Sequence, residues 1–252
     1  MGFLSYIFGG RNVNTDNQQG GQNTQCASSK VDVQSIIARA QKCEKDQNIE
    51  EAMEWYRKAA ENNHPIGLYK LGVFYRNSNE DEVAFKYFQK AADCGHGGAC
   101  YFMAKYYMDG YIVNKDETRA FDYYKKSAEL GDEAGQAYLG MFYLDGTGTA
   151  PDEKAAFFWL SKCPDIDWSG LGLCKCYLFG RGTARDVDKG IRILMDIAKP
   201  QSSNVFVEDA RKLARECARQ GLPIPKSFLS EIEEADNRES ALLDELIATF
   251  NE

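Results

Sequence analysis

The chain has 252 residues, 44% hydrophobic and 27% charged, with a net charge of −8. Mean hydropathy is −0.49, and no apolar run approaches the roughly 18 residues a bilayer span needs, which argues against an integral helical membrane protein. Eight acids against two bases between Lys226 and Glu252 hold −6 of the total; the nearly neutral remainder offers no footprint for phosphate backbones, so nucleic acid is not an expected partner.

The opening MGFLSYIFGG has no basic n-region and no cleavage site after an apolar stretch, so it is not read as a secretory signal. Gly2 is followed by Tyr6 where myristoylation wants Ser or Thr. Phe3, Leu4, Tyr6, Ile7 and Phe8 leave membrane contact open, but one such peptide without a basic patch or a lipid binds weakly. Gly9 to Lys30 is rich in Gly, Asn, Gln and Ser and has little to bury, so residues 1–30 are expected to be a disordered tail with a short apolar start.

From there the chain repeats itself. LGVFY at Leu71–Tyr75, MAKYY at Met103–Tyr107, LGMFY at Leu139–Tyr143 and LCKCY at Leu173–Tyr177 align at spacings of 32, 36 and 34 residues. Each is followed by a second block, starting at Ala84, Ala120, Ala156 and Gly190, and an earlier member, AMEWYRKAA, starts at Ala52. In the first block Ala99, Met103, Ala104 and Tyr107 share one helical face. In the second Ala120, Tyr123, Tyr124, Ser127 and Ala128 do. Small residues let the paired helices approach, and aromatics fill the space beside them. Gly110, Gly146, Gly148, Gly180 and Gly182 mark the end of the first helix. Asp116, Asp152 and Asp186 stand just before the second as N-cap candidates.

The units run at about 31–63, 64–95, 96–131, 132–163 and 165–199, with a half-unit at 204–220 that places Leu213, Ala214 and Cys217 at the Leu-small-aromatic positions. LPIP at Leu222–Pro225 breaks that helix. Residues 221–252 are read as acidic capping helices, FLSEIEEA from Phe228 and SALLDELIATF from Ser240, the latter with an apolar stripe of Leu242, Leu243, Leu246, Ile247 and Phe250.

These blocks resemble the Sel-1-like repeat family, relatives of the tetratricopeptide repeats, with the pattern small-x3-LG-x2-Y-x2-G-x-G-x3-D-x3-A-x2-WY-x2-AA-x2-G. Residues 135–163 match best, through Leu139, Gly140, Tyr143, Gly146, Gly148, Asp152, Ala156 and Trp159. Ile112 departs where the second loop glycine should stand, and Gly190, Ile193 and Leu194 replace Ala and the aromatics. The unit from Val33 to Asn63 looks more like a tetratricopeptide pair. The resemblance covers Val33 to Ala198. It implies an all-α fold, a right-handed α-solenoid of antiparallel helix pairs, used as a protein-binding scaffold.

Catalytic constellations find little support. The two histidines, His64 and His96, lie 32 residues apart, the repeat offset, with Asp132 at the matching place; residues that merely repeat a turn position assemble no nucleophile–base pair. Cys94, His96 and Cys100 lack a fourth zinc ligand, and Cys174 and Cys176, at i and i+2 on a helix, cannot share an ion. Cys43, Cys163, Cys174 and Cys217 fall on small or aromatic register positions, so they are read as structural thiols. Family members with disulfides exist, and only Cys94 and Cys100 lie near such places. The loop glycines follow no strand and precede no G-K-S/T, so they are not a phosphate-binding turn. No metal, cofactor or enzymatic activity is expected.

What is left is a groove. Offsets of −5, −2, +2 and +5 from the first-helix Leu point away from the partner helix, toward the concave side. The candidate partner-binding residues are Ile66, Tyr69, Val73, Arg76, Tyr101, Lys105, Met108, Met141, Leu144, Trp168, Lys175 and Leu178. The competing reading is that these side chains pack successive first helices together. The expectation is therefore a cytoplasmic, non-enzymatic adaptor holding one or more proteins or peptides; the alternatives are an inhibitor or immunity-type protein that occludes a cognate enzyme, or a membrane-tethered assembly factor.

Overall fold

The computed structural model describes residues 32–164, 167–198 and 207–250, the side chains of 167–168, 239–240 and 242–250 excepted. The expected disordered tail and its apolar start thus lie outside the described residues. Among the described residues there are twelve α-helices and no strand, and none of the helices is long and apolar enough to cross a membrane. They pair as α1 (Val33–Lys45) with α2 (Ile49–Glu61), α3 (Pro65–Asn77) with α4 (Asp81–Asp93), and α5 (Gly97–Asp109) with α6 (Glu117–Glu129). Then come α7 (Glu133–Asp145) with α8 (Glu153–Lys162), α9 (Asp167–Phe179) with α10 (Val187–Ile197), and α11 (Val207–Arg219) with α12 (Lys226–Phe250). Each helix packs on its chain neighbours, and first helices also touch one another, α5 on α7 and α7 on α9. This is an α-solenoid.

The register read from the sequence is the packed one. Ala99, Met103 and Ala104 are fully buried, as are Ala120 and Ser127, with Tyr124 and Ala128 nearly so. Ser127 sits at an otherwise apolar position because its hydroxyl donates to the Gly97 carbonyl, 2.9 Å away.

Backbone hydrogen bonds repeat with the sequence. The N–H groups of Asp116, Asp152 and Asp186 donate to the carbonyls of Tyr107, Tyr143 and Tyr177, each at 2.9 Å. In the unit with the shorter loop, Glu80 makes the same bond to Tyr75 at 2.9 Å. The three aspartates cap the second helices, their carboxylates accepting from the N–H groups of Arg119, Ala155 and Lys189 at 2.9, 3.0 and 2.9 Å. At the other turn, His64, His96 and Asp132 donate N–H to the residue five earlier, Ala59, Ala91 and Ser127, at 3.0, 3.0 and 3.1 Å. The residue before each has positive φ: Asn63, Gly95 and Gly131. These are the bonds that satisfy the last carbonyls of a helix.

The second loop glycines also couple units. Gly148 (φ 65°) and Gly182 (φ 69°) lie so close to the preceding second helix that a Cβ would fall 2.1 Å from the Glu117 carbonyl oxygen and 1.8 Å from that of Glu153. Ile112, which replaces this glycine in the earlier unit, instead packs half-buried against the cluster around Phe88 and Met103.

The C-terminal end departs from the expected pair of capping helices: Lys226–Phe250 is one continuous helix of 25 residues. Nothing in Asp236–Ser240 breaks a helix. Among the described side chains, the contacts that close the solenoid are those of Phe228, Ile232 and Ala235, which are buried, Phe228 and Ile232 against Leu194, Ala214 and Cys217. The stripe from Leu242 to Phe250 lies outside the described side chains. A charged pin fixes the same helix. Arg211 of α11, 1% exposed, donates to Glu208 at 2.9 Å and to Asp236 of α12 at 3.0 Å, and Arg215 also bonds Asp236.

Candidate functional site

The twelve candidate groove residues divide sharply. Two are corrections: Leu144 and Leu178, 4% and 0% exposed. Leu144 is buried with Ala156, Leu160 and Leu173. Leu178 presses on Gly190, where a Cβ would come within 2.7 Å of it. The +5 residue lies about 140° round the helix from the Leu; at Leu144 and Leu178 that direction meets the paired second helix, while at Arg76 the same offset stays exposed.

Several others tie helices together. Tyr69 stacks on His96 with ring centroids 4.1 Å apart and tilts against Phe88 and Phe102. Burial, with the nearby Asp132 charge, pushes its phenol up to about 12. Tyr101 leans on Tyr124 and Tyr138, and burial raises it as well. Ile66 packs half-buried with Ile36, Ile37 and Tyr56, Val73 with Phe88, and Met108 with Tyr124 and Leu139. Tyr69 and Val73 also line a small hollow of about 100 Å³ beside Glu44 and Lys70. Arg76 is exposed, its guanidinium 4.7 Å from the Phe102 ring centre. Lys105 is half-buried. Trp168 is in α9, its side chain outside the described ones.

Met141 and Lys175 are brought together. They line a cleft of about 690 Å³ between α7, α9 and α11. Leu171 and Leu213 complete its apolar floor; Lys212, Arg215 and Arg219 join Lys175 among the bases, and Asp209 and Glu216 are its acids. The three helices are successive first helices, which is why one surface runs across them. Sequence reading missed the α11 contribution by assigning Leu213 to the packing position. Ala210, Ala214 and Cys217 are fully buried there, while Leu213 is half-buried and reaches the cleft. The available signal was the helical wheel of 207–219, which sets Leu213 at the edge of the Ala210–Ala214–Cys217 stripe rather than at its centre, with Lys212, Arg215 and Arg219 on the opposite face.

The residues with chemical potential elsewhere are occupied structurally. His96 caps α5, its Nδ1 accepting from the Ala99 N–H at 3.2 Å. Burial, with lesser contributions from His64 and Lys70, lowers its imidazole to about 4. Asp132 caps α7 by accepting from Gly135 at 2.8 Å, and burial raises its carboxyl. Cys100, Cys163, Cys174, Cys176 and Cys217 are buried free thiols, and Cys43 is a half-buried one. Burial pushes Cys100 and Cys176 each up to about 11, far from thiolate reactivity. Cys174 and Cys176 join different clusters, on opposite sides of α9. Of the two cysteines near the family's disulfide places, Cys94 is disulfide-bonded and Cys100 is free. Among the described residues no group of three His, Cys, Asp or Glu side chains could hold a metal ion.

The Sel1 repeat profile matches residues 43–64, 65–96, 98–132, 134–162 and 170–194. The chain belongs to the Sel1 repeat family. The last four segments follow the helix pairs described above, the first takes in α2 and only the end of α1, and none reaches α11 or α12. No curated protein matches the chain. Among solved structures this Sel1 repeat chain is similar to a Sel1 repeat protein from Oxalobacter formigenes, with 24% identity, a TM-score of 0.60, and coverage of 82% of this chain and 88% of that one. It is also similar to c5321, a protective antigen of uropathogenic Escherichia coli with an SLR fold, with 23% identity, a TM-score of 0.58, and coverage of 82% and 45%. At these identities the likeness concerns the fold. Sel1 repeat proteins are generally protein-interaction scaffolds.

Proposed function

We propose that this Sel1 repeat chain is a non-enzymatic adaptor that holds a partner protein or peptide on the surface shared by its first helices. The observation that carries the reading is the cleft between α7, α9 and α11, where apolar side chains lie beside a rim of four bases and two acids. Aromatic and aliphatic side chains flanked by charge are what partner surfaces use. The catalytic reading has no comparable support, since His96 serves a cap, the buried thiols serve the core, and His64 repeats the turn position of His96.

A reducing compartment, the cytoplasm, fits the six free thiols among the described residues; the Cys94 disulfide is the feature that speaks for an oxidising one. Alkylation of the protein taken directly from cells, counted by mass, separates the two.

The adaptor reading is tested by quantitative pull-down with the full chain, Lys175→Glu in the cleft, and Tyr111→Asp at a loop position 79% exposed. Partners lost with Lys175→Glu and kept with Tyr111→Asp are the expected result. A partner set that ignores Lys175→Glu removes the cleft from the reading.

A further inference from the structure

The chemistry of the cleft narrows the kind of partner, on the adaptor reading given above. Its apolar lining is Met141 and Leu213, both half-buried, with the buried Leu171 beneath them, one residue from each of three successive first helices. Neighbouring helices pack 8–10 Å apart, so the floor extends over roughly 16–20 Å. That is the length of about 11–13 helical residues, enough for apolar anchors on three consecutive turns.

The charge around the floor runs against that of the chain. Lys175, Lys212, Arg215 and Arg219 face Asp209 and Glu216, and Asp236 of α12 takes Arg215, which still leaves one base in excess on a protein whose net charge is −8. The acids do not neutralise the rim firmly. The Lys212–Asp209 and Arg219–Glu216 pairs are long, at 3.9 and 3.6 Å, with all four side chains more than half exposed. Such pairs contribute little and exchange readily. Arg215 already shows the mode of recognition, because the carboxylate it bonds, Asp236, arrives from a separate helix, α12, together with an apolar face.

We infer that the cleft docks an acidic amphipathic helix of a partner protein, its apolar stripe on Met141 and Leu213 and its carboxylates on Lys175, Lys212 and Arg219. An acidic helix is favoured over an extended strand because the cleft is bordered by side chains rather than by free backbone donors, leaving a strand nothing to pair with.

The test uses a phage-displayed library of random peptides of about 16 residues, long enough to cross the floor as a helix, selected on the full chain. Enriched sequences are synthesised and titrated against the chain, Lys175→Glu/Lys212→Glu and Leu213→Asp, each variant checked for unchanged helicity. The expected peptides carry net negative charge with apolar residues at helical spacing. They weaken at least ten-fold on the charge-reversed variant and on Leu213→Asp, and weaken with salt. Basic or neutral peptides that still lose binding on Leu213→Asp overturn the acidic inference and leave the adaptor reading standing. Peptides indifferent to every cleft variant overturn both the inference and the cleft's part in the adaptor reading. Failure to enrich any peptide overturns the inference.

Discussion

His64, His96 and Asp132 occupy one register position and close the same turn with different side chains. The backbone bond is common to all three, while only His96 and Asp132 add a side-chain cap. Neutrality is a condition of the His96 cap, because its Nδ1 must accept a hydrogen bond and a protonated ring has no acceptor. Unfolded, the imidazole takes a proton near 6.5; folded, only near 4. The unfolded chain therefore binds more protons between those values, and stability falls as pH drops from about 6.5 to about 4. His96→Asn keeps a capping oxygen and removes the titration. Thermal unfolding from about pH 7 downward should show a shallower decline for the variant than for the native chain. Equal declines would refute the assignment.

Within an element, spacing alone identifies what acts locally. Asp116, Asp152 and Asp186 were legible as caps because their side chains reach only three residues along the chain. The Ala–Leu–small stripe was legible because it follows a 3.6-residue period. The outward face was not, since which of Tyr69, Tyr101, Leu144 and Leu178 meets solvent depends on how closely neighbouring helices, the paired second helix above all for the two leucines, ride on the first, and no local pattern carries that. The α12 helix illustrates the same limit: two apolar segments looked like two helices, but the residues joining them contain no breaker. The loop glycines allow a clean comparison. Gly148→Ala places a Cβ 2.1 Å from the Glu117 carbonyl oxygen, whereas Gly131→Ala, also at positive φ, meets nothing within 4 Å. Both incur the left-handed strain of about 1–2 kcal/mol; Gly148→Ala should lose clearly more in chemical denaturation. Equal losses would mean that the loop does not lean on the neighbouring unit.

For the whole molecule, the open end of the solenoid is the exposed flank, and α12 covers it. Removing Asp236 withdraws one acid from the buried Arg211 and leaves Glu208. A buried donor stripped of a partner costs about 1–3 kcal/mol, so Asp236→Ala should destabilise by that amount. Arg211→Met placed on top should recover part of the loss, because an apolar side chain of similar length no longer asks for a counter-charge. A double variant less stable than Asp236→Ala would show that Arg211 acts through its packing. Truncation before Lys226 should uncover the Leu194, Ala214 and Cys217 surface and promote self-association, read by light scattering.

The loop-to-neighbour contact has a consequence for how such a chain changes length. Asp116–Glu117 and Asp152–Glu153 are the same dipeptide, with the same carboxylate cap and the same closing bond to a tyrosine carbonyl. In each case a glycine of the following loop rests on that glutamate, Gly148 on Glu117 and Gly182 on Glu153. Excision of residues 117–152 would splice Asp116 to Glu153 and leave Gly182 on the glutamate it already occupies. Genetic recombination between matching positions thus adds or deletes whole periods without inventing a new backbone conformation. A single inserted residue in a loop has no such freedom, since it moves the glycine off its seat.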